Sequence, residues 1–318
     1  MQPKLVDLEA ASRIVHAAMP ATPQYCWPLL CERIGSEVWV KHENHTPIGA
    51  FKIRGGLVYF DHLSKLPGRP EGVVTATRGN HGQSIGFAAG RYGIPAVVVV
   101  PHGNSTEKNA AMRALGVELI EFGEDFQEAR EHSEVLARKR GFLMVPSFHP
   151  LLVAGVGTYS LEFFRAVGGI ETAYVQIGLG SGICGMIAAR DALGLKTSIV
   201  GVVSAHAPAY ALSFEAQSPI DYPSSTELAD GVAVRSPAPE ALEIIRRGVD
   251  RIVQVTDEEV AAAMRMIFEC THNVAEGAGA LGVAAAVRER SRKSRKTAVV
   301  ISGGNVDRAV FSAVLSKE

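Results

Sequence analysis

The sequence predicts an α/β protein of two lobes, each an open, mostly parallel sheet with helices on both faces. Three observations predict it. Strand-like and helix-like runs alternate along most of the 318 residues. The strand-like runs, such as residues 96–100 and 198–203, are apolar throughout rather than alternating, as strands covered on both faces are. Glycine-rich turns stand where apolar runs pass into helices, as at residues 178–182. The length suffices for two lobes. The loop Lys65-Leu66-Pro67-Gly68-Arg69-Pro70 marks a boundary, giving a small lobe of residues 66–149 and a large one of residues 1–65 and 150–318.

In chain order, residues 1–35 read as helical and peripheral, and residues 38–40 as a short β-type run. Pro47 and Gly49 break the chain, so Lys52 opens a helix that runs over residues 55–63. Then come a strand at 73–76, a helix at 82–92, a strand at 96–100 and a helix at 108–115. A strand at 118–121, a helix at 126–140 and a strand at 142–145 close the first series. The second series has a helix at 156–167, a strand at 173–177, a helix at 182–193 and a strand at 198–203. Residues 207–240, rich in Pro and Ser, read as irregular. Thr256 and Glu259 have the spacing of a capping box that opens a helix running to about Cys270. A small-residue helix at 278–288 and an apolar strand at 298–301 follow.

Charge excludes some partners. Lys plus Arg number 32 against 33 Asp plus Glu, a net charge of -1, which gives no electrostatic reason to expect nucleic acid or an anionic membrane. The basic stretch at 288–296 reads as a solvated connector. Four cysteines, Cys26, Cys31, Cys184 and Cys270, form no C-x-x-C pair and read as thiols of a reducing compartment. The N-terminus lacks a signal pattern and no apolar run reaches membrane-spanning length, so the expected location is cytoplasmic.

Chemistry concentrates in three turns and one lysine. Lys52 follows an aromatic residue at a helix opening, where the helix dipole lowers an amine's pKa. A neutral amine is what Schiff-base formation needs; the alternative is a solvated surface charge. Gly178, Leu179, Gly180, Ser181 and Gly182 follow an apolar run and open a helix, which makes an anion cradle of backbone N–H groups. Gly180, Gly182 and Gly185 also match the dinucleotide fingerprint, but no acid follows the next strand before Glu215, so a phosphate without a ribose fits better. A tight packing turn is the alternative. Thr77, Arg78, Gly79, Asn80 and His81 offer donors at a helix start, suited to a carboxylate, or else form an ordinary polar cap. Ser302-Gly303-Gly304-Asn305 ends the last strand and alone is no more than a turn. All three turns lie at the carboxyl ends of strands, where ligands of open α/β sheets bind. His42-Glu43-Asn44-His45 is one residue short of the zinc-protease spacing, and no serine nucleophile elbow is present.

Phe51-Lys52-Ile53-Arg54-Gly55, Gly79-Asn80-His81-Gly82-Gln83, the 178–182 loop, Glu276-Gly277-Ala278-Gly279-Ala280 and Ser302-Gly303-Gly304-Asn305 occur in the order and spacing of the fold-type II, tryptophan synthase β-like, pyridoxal-phosphate enzymes. Within that family the chain resembles the threonine/serine dehydratase and serine racemase branch, over nearly its whole length. The resemblance implies pyridoxal 5'-phosphate as cofactor and Lys52 as its Schiff-base lysine and the carrier of the substrate's α-proton. It implies Phe51 beside the cofactor ring, Asn80 on its 3-hydroxyl, Gly178 to Gly182 on its phosphate and Ser302 at its pyridine nitrogen. Glu276 joins the cofactor-binding set. Thr77, Arg78, Gly79, Asn80 and His81 would receive the carboxylate of a small amino-acid substrate. The large lobe would bind the cofactor and the small lobe would lie on the substrate side. The expected reaction is β-elimination from a β-hydroxy amino acid, such as L-threonine or L-serine, to a 2-oxo acid and ammonia. A homodimer is expected.

Three departures from the branch matter. Arg78 stands where the family has a small residue, often the serine that racemases use as second acid, so elimination without racemisation is expected. Val203, with Ala207 and Ala209 after it, stands where the branch's divalent-cation site has its ligands, so no metal is expected. The sequence runs only a short way past Ser302, so the regulatory domain of the biosynthetic threonine enzymes is not expected. The alternatives are an ammonia-lyase for a larger β-hydroxy amino acid (phenylserine, hydroxyaspartate or a hydroxyectoine-derived diamino acid) and a non-catalytic phosphate-ligand binding protein.

Overall fold

The computed structural model of the protein describes residues 2–292 and 294–317. Its strands are β1 (Gln24–Cys26), β2 (Glu37–His42), β3 (Val73–Ala76), β4 (Ala96–Val100), β5 (Glu118–Glu121), β6 (Leu143–Met144), β7 (Thr172–Gln176), β8 (Ser198–Ser204), β9 (Arg251–Val255) and β10 (Lys296–Ile301). Its helices are α1 (Leu5–His16), α2 (Pro28–Ile34), α3 (Ile53–Ser64), α4 (Asn80–Tyr92), α5 (Thr106–Ala114), α6 (Phe126–Arg140), α7 (Pro150–Ala166), α8 (Ser181–Ala192), α9 (Ala209–Ala216), α10 (Pro239–Gly248), α11 (Asp257–Thr271), α12 (Gly277–Arg288) and α13 (Arg308–Leu315).

Two sheets form, in the orders β1-β2-β10-β7-β8-β9 and β5-β4-β3-β6. Every pairing is parallel except β1 with β2. The apolar strands of the larger sheet send alternate residues into two cores. Ala173, Val175, Ile199, Val203, Ala298 and Val300 pack with α7, α8 and α10 on one face. Val200, Val202, Val299 and Ile301 pack with α2, α11 and α12 on the other. The smaller sheet repeats the pattern: Val73 and Val98 face α4, while Val74, Val97 and Val99 face α6. Burial on both faces is why these strands carry no polar alternation.

Two stretches depart from expectation. The first 35 residues are not wholly helical or peripheral. Residues 24–26 pair antiparallel with β2, and α1 buries Leu8, Ala11 and Val15. The 207–240 stretch is only partly irregular, because Ala209–Ala216 is helical and buries Tyr210. The α10–β9 unit follows it, started by Pro239 at the first helical turn, which suits a residue with no N–H to give. The capping box of α11 forms as expected: Thr256 Oγ1 accepts from Glu259 N and Glu259 Oε2 from Thr256 N at 2.8 Å.

Candidate active site

Four strand ends supply the site. β2 leads through residues 43–52 into α3, β3 into the Thr77–His81 loop, β7 into the 178–182 loop, and β10 into residues 302–305. The loops are tied to one another. Phe51 N donates to Ser302 O at 2.9 Å and Gly304 N to Gly49 O at 2.9 Å, and Ala50 forms an isolated bridge with Gly303. Asn305 Nδ2 donates to Ile48 O and to Asn80 Oδ1, both at 2.8 Å. Asn80 Nδ2 donates to Glu276 Oε1 at 2.6 Å.

Lys52 occupies the N-cap of α3, with its carbonyl held by the Ser84 hydroxyl at 2.6 Å and its ammonium 5.1 Å from the centre of the Phe51 ring. Burial lowers its amine to about 8, against the charge of Glu276, which pulls the other way. A clamp behind it fixes the start of α3. Arg54, fully buried, donates to Glu43 at 2.7 and 3.0 Å and to Glu162 at 2.6 and 3.0 Å. Lys41 adds a bond to Glu162 at 2.7 Å.

The 178–182 loop fits a phosphate. Gly180 caps α8 at φ +102°, a conformation that favours glycine, and a Cβ there would meet the Ala241 side chain at 2.7 Å. The first-turn N–H groups of α8 have no partner within the helix. Tyr210 stiffens the turn from behind: its hydroxyl donates to Leu179 O at 2.9 Å and accepts from Ala238 N at 3.0 Å. Phe51 lies over Gly182 and meets Tyr159 edge-on at 6.1 Å between ring centres. Ser302 is buried at the end of β10.

The Thr77–His81 loop carries neutral donors. Thr77 is buried and its Oγ1 accepts from Gly79 N at 3.1 Å. Burial, helped by the charge of Lys52, pushes His81 down to about 3, and its Nε2 has no hydrogen-bond partner among the described residues. Arg78 departs from its neighbours. Its side chain is exposed and makes no ion pair or hydrogen bond among the described residues, so no contact turns its guanidinium into the cleft.

The cation buried beside this loop is Lys108, which sequence reasoning did not single out. It lies across Gly79, where a Cβ would meet its Cδ at 2.6 Å. Its ammonium is 2.6 Å from Asp230 and 3.7 Å from Glu276. Burial lowers its pKa, but these two carboxylates raise it further, so it stays charged. Glu276 is pushed up to about 7 by burial, against the charge of Lys108. Its Oε2 has no hydrogen-bond partner among the described residues. No glycine-rich turn carries Lys108 or Asp230, and the two stand 122 residues apart.

An amine lowered to about 8, an aromatic face, a glycine cradle at a helix start and a buried serine at a strand end suit an aldehyde cofactor with a phosphate and a heteroaromatic ring. Val203, Ala207 and Ala209 are buried and apolar. Among the described residues no group of three or more His, Cys, Asp or Glu is arranged to hold a metal, and no helix is long and apolar enough to cross a membrane.

Comparison with known proteins agrees with this chemistry. The chain is 35% identical over 314 residues to an L-threonine ammonia-lyase of Thermotoga maritima, covering 98% of this chain and 78% of that one. It is 29% identical to an L-threo-3-hydroxyaspartate ammonia-lyase of Saccharomyces cerevisiae, over 99% of this chain and 97% of the other. Its fold superimposes on processed threonine deaminase isoform 2 from Solanum lycopersicum with a TM-score of 0.90 and 28% identity, covering 99% of this chain and 92% of that one. Residues 18–304 match the family model described as pyridoxal-phosphate dependent enzyme, and the chain belongs to that family.

Proposed function

We propose that the protein is an ammonia-lyase that eliminates water from a β-hydroxy α-amino acid, L-threonine or L-serine, and releases a 2-oxo acid and ammonia. The observation that carries this reading is Lys52, an amine lowered to about 8 among the turns that suit the cofactor. The threonine ammonia-lyase relative, 35% identical across 98% of this chain, supports the substrate class.

When bound, the cofactor supplies the electron sink that lets an amino acid's α-proton leave. The chain's residues do the rest. Lys52 would hold the cofactor through its amine and would carry the α-proton on Nζ. Gly178, Leu179, Gly180, Ser181 and Gly182 would hold its phosphate by backbone N–H groups, and Phe51 would pack on its ring. Asn80 would meet its 3-oxygen, and Ser302 would offer its ring nitrogen a hydroxyl, which does not force that nitrogen to stay protonated. Glu276 stands behind Asn80. Thr77, Gly79, Asn80 and His81 hold the substrate carboxylate with neutral donors. Arg78 lies at the mouth of this loop, in the place of the racemases' serine, so elimination proceeds without racemisation.

The hydroxyaspartate ammonia-lyase relative supports a second reading, in which the side chain eliminated upon carries a carboxylate. An assay of 2-oxo acid release across L-threonine, L-serine and threo-3-hydroxyaspartate separates the two. Highest kcat/KM with threonine or serine supports the first reading, and highest with hydroxyaspartate supports the second. Release from none of them overturns both.

The same proposal has residues 66–149, which hold the four-stranded sheet, as the substrate-side lobe, and the protein as a homodimer in the cytoplasm. Sedimentation equilibrium and cell fractionation test the last two.

A further inference from the structure

Asn80 has a side-chain amide with one acceptor and two N–H donors, and which end faces the cofactor decides whether it gives or receives a hydrogen bond. Its surroundings leave no choice. A backbone carbonyl only accepts, so Ile48 O must meet the NH2 end of Asn305, at 2.8 Å. That orients the whole Asn305 amide. The second hydrogen of the same NH2 goes to Asn80 Oδ1, at 2.8 Å. Asn80 therefore turns its oxygen toward Asn305 and its NH2 the other way, where Glu276 Oε1 accepts one hydrogen at 2.6 Å. Glu276 is buried, and its own N donates to Gly303 O at 3.0 Å, so the acceptor cannot drift away. Gly49 leaves room for the Asn305 head: a Cβ there would stand 2.7 Å from Asn305 Oδ1.

We propose that Asn305 and Glu276 are positioning residues, which lock the Asn80 amide so that its one remaining N–H is donated to the 3-oxygen of the cofactor. The polarity runs one way, from a fixed backbone carbonyl through Asn305 and Asn80 to a carboxylate. A donor at the 3-oxygen favours its ionised form, because a hydrogen bond to the charged state stabilises that state. Lys108 and Asp230, which pair with each other beside Glu276, hydrogen-bond to neither amide among the described residues.

The inference rests on the family's cofactor and not on which amino acid is the substrate, so its test reads the cofactor directly. Asn305→Asp is nearly isosteric but puts acceptors against Ile48 O and Asn80 Oδ1. It is expected to weaken pyridoxal-phosphate binding to the apo-protein about tenfold, on the scale of one inverted buried hydrogen bond, and to shift the visible band of the bound cofactor. Asn305→Ala removes the lock without inverting it and should shift the band the same way by less. In an Asn80→Ala background, Asn305→Asp should add nothing, because the residue acts through Asn80. Glu276→Gln, which keeps a carbonyl to accept from Asn80 though it removes the charge near Lys52, should hold pyridoxal-phosphate affinity closer to the wild type than Glu276→Ala does. An unchanged band and affinity in Asn305→Asp overturns the proposal, as does an effect that persists undiminished without Asn80. Should Asn305→Asp fail to fold by circular dichroism, an unshifted band in Asn305→Ala overturns it equally.

Discussion

At the scale of single residues, burial lowers the Lys52 amine and the charge of Glu276 opposes it. With its amine lowered to about 8, covalent capture of pyridoxal phosphate by the apo-protein should quicken as pH rises toward 8 and level off above it, because only the neutral amine attacks. Stopped-flow absorbance across pH 6 to 10 checks this; a rate still climbing steeply between pH 8 and 10 would mean an unperturbed lysine. Arg78 carries a second prediction. Prolonged incubation with L-serine should give no D-serine by chiral chromatography, while Arg78→Ser restores the small hydroxyl of racemases and lets some form. Much of this site was legible, because Lys52, Asn80, Ser302 and the 178–182 loop sit in short motifs beside glycine turns. Lys108 and Asp230 were not, since an ion pair between distant, motif-free positions leaves no local mark. Nor was the exposure of Arg78, which stands between buried Thr77 and buried Gly79.

At the scale of elements, α3 presents Lys52 because Arg54, two residues on, is anchored to Glu43 from the β2 side and Glu162 from α7. Arg54→Met would leave buried Glu43 and half-buried Glu162 without their main partner and should cost about 3–5 kcal/mol in urea unfolding. A loss under 1 kcal/mol would show that the clamp is idle. Arg54→Lys should rescue little, since an ammonium cannot reproduce the fork. Burial raises the Glu162 carboxyl, but Arg54 and Lys41 override it and hold it down to about 2. A depressed carboxylate stabilises the fold above its ordinary value of 4.5 and loses that contribution as pH falls toward 2. The strands were readable because two-sided burial makes them continuously apolar. β1 and β9 were harder: both are edge strands, and β9 mixes Arg251 and Gln254 with its apolar residues.

At the scale of the molecule, the smaller sheet and α4 share an apolar core with α3 and α7, where Tyr59, Phe60, Leu63 and Leu152 pack with Val73, Ile85 and Val98, and polar contacts join the two halves around the site. Asn80 bonds Glu276 and Asn305, Lys108 bonds Asp230, Ser105 donates to Asp307 Oδ1, and Arg308 N donates to Glu107 at 2.9 Å. With Val203 buried where related enzymes have a cation ligand, activity should be unchanged by EDTA, and a large loss restored by magnesium would place a cation site elsewhere in the molecule. The central claim is that this cleft eliminates water from a β-hydroxy amino acid through Lys52. The most direct measurement compares ammonia and 2-oxo acid released by the wild type and by folded Lys52→Ala, both saturated with pyridoxal phosphate and given L-threonine or L-serine. The wild type should release the two products in equal amounts, and turnover should be lower by several orders of magnitude in the variant, which loses its covalent anchor and its base together. Near-wild-type ammonia release from Lys52→Ala would contradict that role of Lys52.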